Sequence, residues 1–182
     1  MMTRAENIPF DTVLDTPEAW LDTLMDTYGL PLTKLTFSYV QDWGKAQEIV
    51  QDVFLTCYEQ YNKRHTIQSY KAWIYRIAIN RAKDYYRTAW FKRIIVKDSG
   101  FDQQLPTALH AEHFVIQQEI NEALAHAVLT LPTKYREVIL LYYYEELSVH
   151  EVATILRCGD NTVKTRLKRA REKLKTLLEG RD

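Results

Sequence analysis

The stretch that decides the fold is SVHEVATILRCGDNTVKTRLKRAR, residues 148–171. Ser148 and Glu151 stand at the spacing of a capping box, which predicts that a helix begins here. Apolar residues then recur at steps of three and four up to Leu156, and the same period resumes at Val163. Two short helices separated by a tight turn predict a helix-turn-helix.

The turn between these helices reads Arg157-Cys158-Gly159-Asp160. Arg157 occupies a position where such motifs often have a glycine. We expect Gly159, two residues later, to supply the backbone freedom that the turn requires.

The second helix is strongly basic, with seven basic residues against one acidic residue over positions 161–177. A helix of this kind fits the major groove, where its first turns reach base edges and flanking cations meet phosphates. This excess of positive charge favours DNA binding over a solvated basic face or a helix lying on a membrane. The predicted duplex contacts are Thr162, Lys164, Thr165, Arg166, Lys168, Arg169 and Arg171.

The formal net charge of zero conceals four alternating blocks. Residues 1–60 hold 3 basic and 10 acidic side chains, and residues 101–160 hold 3 and 9. Residues 61–100 hold 10 basic and 2 acidic side chains, and residues 161–182 hold 8 and 3. Two separate basic blocks indicate two surfaces for a polyanion, with acidic surface left for another partner.

Composition places the chain among all-α proteins. Hydrophobic residues make up 46% of the 182 residues, and only five glycines and five prolines are present. That scarcity argues against the many turns of a β-sandwich or barrel. Two distant cysteines, Cys57 and Cys158, and the lack of a signal peptide or membrane span predict a cytoplasmic protein.

The N-terminal part reads as an arm, residues 1–16, followed by a helical domain, residues 17–88. We expect a helix over 18–28 capped by Asp15 or Thr16, a break at Gly29-Leu30-Pro31 and a second helix to about Val40. An amphipathic helix follows over 46–58, then a loop over 60–69 and a helix from Tyr70. Residues 89–112 are predicted to be a flexible linker, and residues 113–182 the second helical domain.

One face of the helix after Tyr70 carries residues spaced four, three and four apart: Arg76, Asn80, Lys83 and Arg87. Together with the loop residues Asn62, Lys63 and Arg64 and nearby aromatic rings, it is suited to unstacked bases. The loop could also accept an extruded base. Packing in the core is the favoured role for Trp73 itself.

Four segments resemble bacterial sigma factors. Residues 42–54 and 72–87 are similar to the region 2 helices of that family, and residues 131–138 and 161–171 are similar to region 4. The segments occur in the right order and span most of the chain. There is no room for the extra domains of housekeeping sigma factors, so the chain resembles the extracytoplasmic-function (ECF) group.

The resemblance implies a specificity subunit of RNA polymerase, with no cofactor and no catalysis. Glu48, Gln51 and Asp52 match the positions that dock on the polymerase β′ clamp, and region 4 would meet the β flap. The face of residues 76–87 and the loop match the reader of the −10 element. The basic helix matches the −35 reader. An anti-sigma factor is the expected regulator, and Gln47 departs from the acid usual in the family.

Two other classes of protein are alternatives to a sigma factor. A stand-alone helix-turn-helix regulator would bind duplex DNA but has no use for an exposed acidic face over 46–54. A nucleic-acid enzyme would need a carboxylate cluster with metal spacing, which the basic blocks lack. His110, Glu112 and His113 could hold a metal, although solvated side chains are the favoured interpretation.

Overall fold

The computed structural model describes residues 16–96 and 122–179, and within these ranges it contains helices and no strand. The all-α prediction is therefore confirmed. The N-terminal half comprises α1 (Pro17–Val40), α2 (Trp43–Glu59), a 3-10 helix (Tyr61–Thr66) and α3 (Tyr70–Val96). The C-terminal half comprises α4 (Glu122–Thr130), α5 (Thr133–Ile139), a π turn (Leu140–Tyr144), α6 (Val149–Leu156) and α7 (Asp160–Glu179).

Helix α1 begins as predicted, with Thr16 as its cap and Pro17 in its first turn. The predicted break at residues 29–31 is wrong, because α1 continues through Pro31. An internal proline costs a helix about 3 kcal/mol. Leu32, Leu35 and Phe37 are buried just beyond it, and each such burial contributes about 1.5–3 kcal/mol, which outweighs that cost.

Helix α2 begins at the Asp42 cap, whose Oδ1 accepts a 2.9 Å hydrogen bond from the Lys45 backbone N–H. Its predicted apolar stripe over 46–58 is buried from Ala46 to Cys57, whereas Tyr58 at its end is 41% exposed. Helix α3 is longer than expected, because residues 89–96, assigned above to the linker, continue it as far as Val96. The rest of the predicted linker, with His110, Glu112 and His113, lies outside the described residues, as does the arm up to residue 15.

In the C-terminal half, Leu131 and Pro132 separate α4 from α5. Arg136 is buried, and its guanidinium donates a hydrogen bond to the Leu129 carbonyl near the end of α4. Such a bond supplies a partner to a carbonyl that the helix itself leaves unpaired.

The two halves pack against each other, with α3 against α6 and α1 against α5. Their buried apolar side chains form one continuous cluster that extends from Trp20 to Ala170. Polar contacts also join the halves: the Tyr75 hydroxyl donates to the Glu145 carboxylate, and Lys71 Nζ donates to the Glu145 carbonyl at 2.6 Å. The predicted division into two domains therefore corresponds to two halves that are in direct contact.

Candidate nucleic-acid interface

The helix-turn-helix is held by local hydrogen bonds. Ser148 Oγ accepts from the Glu151 N–H at 3.3 Å, and Glu151 Oε2 accepts from the Ser148 N–H at 2.8 Å, so the predicted capping box is confirmed. The Ser148 hydroxyl also donates to Glu151 Oε2 at 2.6 Å, and this bond, together with that from the Ser148 N–H, lowers the pKa of the Glu151 carboxyl. Helix α6 thus begins at a defined residue, which fixes the position of the turn that follows.

The turn corrects one expectation. Arg157 itself adopts the left-handed conformation, with φ of 52°, whereas Gly159 does not have a positive φ. The Cys158 N–H donates to the Ala153 carbonyl at 3.0 Å, and the Gly159 carbonyl accepts from the Val163 N–H at 3.2 Å. The strain of the turn therefore falls on a residue with a Cβ atom, not on the glycine.

Helix α7 is anchored by Val163, Leu167 and Ala170, which are buried. Six of the seven predicted duplex contacts share its exposed surface: Thr162, Lys164, Thr165, Lys168, Arg169 and Arg171. The seventh, Arg166, is half-buried and forms an ion pair with Glu137 of α5, at 3.1 Å between Nη1 and Oε1. The structure thus turns one predicted DNA contact towards the protein interior.

A shallow hollow of about 370 Å³ lies beside the exposed surface of α7, and its walls include Lys134 and Tyr135 from α5. Neither residue is among the predicted DNA contacts. Arg169 hydrogen-bonds to the Tyr135 hydroxyl and, with the nearby Lys134 and Lys173 charges, lowers the pKa of that phenol. The lining of the hollow thus includes three cationic side chains, Lys134, Arg166 and Arg169. Lys134, exposed and two residues after Pro132 in the quoted region 4 segment, could have been found from its position at a helix start.

Only part of the basic face of α3 is free of contacts with the rest of the protein. Asn80 and Arg87 are exposed, and Arg87 pairs with Asp84 at 3.2 Å. Arg76 donates to the Thr154 carbonyl of α6 at 3.2 Å, and Lys83 Nζ lies 2.8 Å from Glu137 Oε2. Two of the three predicted cations on this face therefore contact the C-terminal half.

The loop before α3 is a 3-10 helix that rests on aromatic packing. Tyr61 is buried against Trp20, with ring centroids 5.7 Å apart in an edge-to-face arrangement. The Arg64 guanidinium lies 3.9 Å from the Tyr61 ring centroid, a cation–π distance. Asn62 and Lys63 are exposed in the same loop, next to this aromatic packing.

The exposed face of α2 carries the predicted docking residues. Glu48, Gln51 and Asp52 are all exposed, and Glu48 forms a 2.5 Å ion pair with Lys45. Leu55 lies on the same face and is 61% exposed. Leu55 is not among the predicted docking residues, although an apolar residue on the polar side of an amphipathic helix is a recognisable sign of a contact surface.

The described residues were also searched for metal ligands, membrane-spanning helices and reactive thiols. Residues 16–96 and 122–179 contain no group of three or more His, Cys, Asp or Glu arranged to hold a metal. No helix within those ranges has the length and apolar character needed to cross a membrane. Burial raises the pKa of the Cys57 thiol to about 12, which keeps it protonated and unreactive at neutral pH.

Comparison with known proteins identifies both halves. Residues 24–92 match Sigma-70 region 2, and residues 121–174 match Sigma-70, region 4. The ECF RNA polymerase sigma factor SigW of Bacillus subtilis is 30% identical over 166 residues, covering 85% of this chain and 87% of that protein. The RNA polymerase sigma-H factor of Pseudomonas aeruginosa is 28% identical over 165 residues, covering 87% of this chain and 86% of that protein.

Two solved structures share the fold. CnrH, in complex with the cytosolic domain of CnrY, superposes with a TM-score of 0.67 at 24% identity and covers 92% of both chains. The sigma factor RpoE of Bartonella quintana, in complex with the anti-sigma factor NepR, gives a TM-score of 0.61 at 23% identity, covering 88% of this chain and 99% of that one. The two matched regions and the similarity to SigW over most of both chains show that this chain belongs to the sigma-70 family, as an ECF sigma factor.

Proposed function

We propose that this sigma factor positions core RNA polymerase on promoters through three surfaces: the recognition helix α7, the loop and face around α3, and the exposed face of α2. The observation that carries this assignment is the pairing of an exposed basic recognition helix with an exposed acidic face in one chain. Sigma factors are transcription initiation factors, and we infer that this chain performs no covalent chemistry and acts in the cytoplasm.

The −35 duplex is assigned to α7. Its exposed cations Lys164, Lys168, Arg169 and Arg171 and its hydroxyls Thr162 and Thr165 lie on one surface that suits the major groove. Lys134, at the rim of the adjacent hollow, would add a phosphate contact. Arg166 would join this set only after release from Glu137.

The −10 element is assigned to the 3-10 loop and α3. Asn62 and Lys63 present polar groups at the loop, and the α3 face over residues 76–87 continues the cationic track. Single-stranded DNA is held by cations that follow its phosphates and by rings that stack on bases. Tyr86, which is 52% exposed on α3, offers a ring for that purpose.

The polymerase β′ clamp is assigned to the face of α2 formed by Glu48, Gln51 and Asp52. Leu55 on that face would supply an apolar contact at the centre of the polar patch. The β flap is the partner proposed for the C-terminal half, on the family resemblance alone.

An anti-sigma factor is the proposed regulator. Two proteins that share this fold, CnrH and RpoE, were solved in complex with the cytosolic domain of CnrY and with the anti-sigma factor NepR respectively. Such a partner would act on the halves described above, either by covering α2 or by holding the halves together.

A reconstitution tests the proposed function. The chain is mixed with bacterial core RNA polymerase and genomic DNA fragments, and the 5′ ends of transcripts are mapped. We expect discrete starts that share a two-part upstream element and that are absent without the chain. Duplex binding without polymerase association or new starts would instead indicate a stand-alone helix-turn-helix regulator.

A further inference from the structure

A tyrosine of α5 holds an arginine of the recognition helix α7. Tyr135 is only 7% exposed, and Arg169, which lies on the exposed surface of α7, donates a hydrogen bond to its hydroxyl oxygen. The two residues belong to different helices that pack against each other. The position of the Arg169 guanidinium therefore depends on α5 as well as on its own helix.

The Tyr135 ring has contacts on several sides. Its backbone N–H donates to the Pro132 carbonyl at 2.8 Å, at the start of α5. Lys134 Nζ lies 5.1 Å and Lys173 Nζ 6.0 Å from the ring centroid, which are cation–π distances. Lys173 lies one helical turn beyond Arg169, so two consecutive turns of α7 meet this ring. A phenol packed in this way gives Arg169 a partner in a defined position.

Tyr135 and Arg169 are shared by two hollows of the surface. One is the hollow of about 370 Å³, whose wall also includes residues from the first turns of α7: Asn161, Thr162 and Thr165. The other, of about 470 Å³, lies between the start of α5 and the C-terminal turns of α7. The first turns of a recognition helix are those that reach base edges. The bond to Tyr135 thus holds the guanidinium beside the part of α7 that is expected to meet the bases.

This hydrogen bond leaves Arg169 most of its donors. A guanidinium has five N–H donors in a planar fork, and the Tyr135 oxygen accepts from that fork at one point. A pre-organised fork loses less freedom for each hydrogen bond that it forms, and two parallel donors fit O6 and N7 of a guanine. Contacts to phosphates, in contrast, carry no sequence information. The direction of the fork therefore matters for selectivity.

We propose that Tyr135 is a positioning residue for Arg169: its hydroxyl directs the guanidinium towards a base edge of the −35 duplex and so contributes to the choice of promoter. The expected base is guanine, the usual partner of a bidentate arginine. This inference rests on the assignment of α7 to the −35 duplex under the proposed function.

The first test is a selection from duplexes that carry a randomised segment. The full-length chain, Tyr135→Phe and Arg169→Ala are each incubated with this library, and the bound duplexes are sequenced. We expect the unsubstituted chain to prefer guanine at a position where Arg169→Ala has no preference. Tyr135→Phe should weaken the preference at that same position about fivefold, the value of one hydrogen bond. The control is Tyr58→Phe, because the Tyr58 hydroxyl donates to Glu18 in the N-terminal half at 2.9 Å.

The second test separates positioning from a structural role. Affinity for the selected duplex is measured by fluorescence anisotropy for Tyr135→Phe alone, combined with Arg169→Ala, and combined with Lys168→Ala. We expect Tyr135→Phe to weaken binding about fivefold by itself and beside Lys168→Ala. Beside Arg169→Ala it should have no further effect, because the group through which it acts is gone. A general loss of folding would weaken binding in all three backgrounds.

The third measurement uses the free chain without DNA. Nitrogen-15 relaxation of the Arg169 Nε–H reports how well this side chain is ordered on the ps–ns timescale. We expect Tyr135→Phe to increase its motion. Arg171 is the internal reference, because it is exposed on the same helix and lines neither of the two hollows, and its motion should not change.

The proposal is overturned if Tyr135→Phe keeps the sequence preference and the Arg169 order of the unsubstituted chain, or if no preference depends on Arg169. Tighter binding by Tyr135→Phe would also overturn it, since the phenol would then compete with DNA for Arg169. These outcomes do not depend on polymerase. A chain that selects guanine through Arg169 but starts no transcripts in the reconstitution would contradict the proposed function and not the role of Tyr135.

Discussion

Tyr39 and Glu137 lie 98 positions apart in the chain, yet the phenol of Tyr39 donates a 2.9 Å hydrogen bond to the carboxylate of Glu137. Burial and the negative charge of Glu137 raise the pKa of Tyr39 well above its ordinary value. Tyr75, which donates to Glu145 across the same interface, has its pKa raised for the same two reasons. The contact between the halves thus depends on protonated phenols.

These phenols predict a loss of stability in alkali. A pKa raised in the folded state contributes stability that is fully present below the unfolded value, about 10 for tyrosine. That contribution disappears as the pH rises towards the folded value. We expect the free energy of unfolding, measured in urea from pH 7 to 11, to fall above about pH 10. Tyr39→Phe should reduce this slope by about 1.4 kcal/mol per pH unit, and a slope unchanged from that of the original chain would contradict the prediction.

The strained turn predicts a stabilising substitution. Arg157 is exposed and left-handed, a conformation that costs a residue with a Cβ about 1 kcal/mol. Arg157→Gly should therefore raise the free energy of unfolding by up to about 1 kcal/mol, as judged by the urea midpoint. Arg157→Ala keeps the Cβ and removes the same charge, so it is the control. Equal midpoints for the two variants would show that backbone strain is not the cause.

The recognition helix predicts a change in salt dependence. Lys168→Ala and Arg169→Ala should each weaken binding to a −35 duplex, and each lost phosphate contact should reduce the slope of log K against log salt by about 0.9. Lys175→Ala is the control, because Lys175 lies on the same helix but pairs with Glu179 at 3.7 Å. Unchanged affinity and slope in both test variants would refute the placement of the recognition surface.

The position of Arg169 adds an optical signature to this experiment. Because the Arg169 hydrogen bond lowers the pKa of the Tyr135 phenol, Arg169→Ala should move that ionisation to higher pH. The ionisation of Tyr135 is measured by the difference absorbance of tyrosinate during an alkaline titration.

The acidic face of α2 predicts selective loss of polymerase binding. Gln51→Ala combined with Asp52→Ala should reduce association with core polymerase in size-exclusion chromatography and leave duplex binding unchanged. Leu55→Ala, at a side chain 61% exposed, should have the same effect on association with little change in stability. Normal polymerase binding by both variants would show that the docking face lies elsewhere.

Local features of the fold follow from the sequence because neighbouring residues decide them. The Ser148–Glu151 capping box, the Asp42 cap and the buried stripe of α2 need only short spacings and a helical period. The basic excess on α7 likewise predicts its exposed surface. These features, together with the family resemblance, are sufficient to predict both the fold class and the function.

The tertiary structure decided what depends on distant contacts. Helix α1 continues through Pro31 because the residues beyond it are buried by the rest of the protein, a gain that no local pattern reveals. The left-handed conformation falls on Arg157, at the end of α6, and not on Gly159, the residue that local sequence favoured. Above all, only the packing of the two halves brings Lys83 and Arg166 to one buried carboxylate, Glu137. The sequence alone predicted which side chains would bind DNA, and the tertiary structure determined which of them are held by the protein itself.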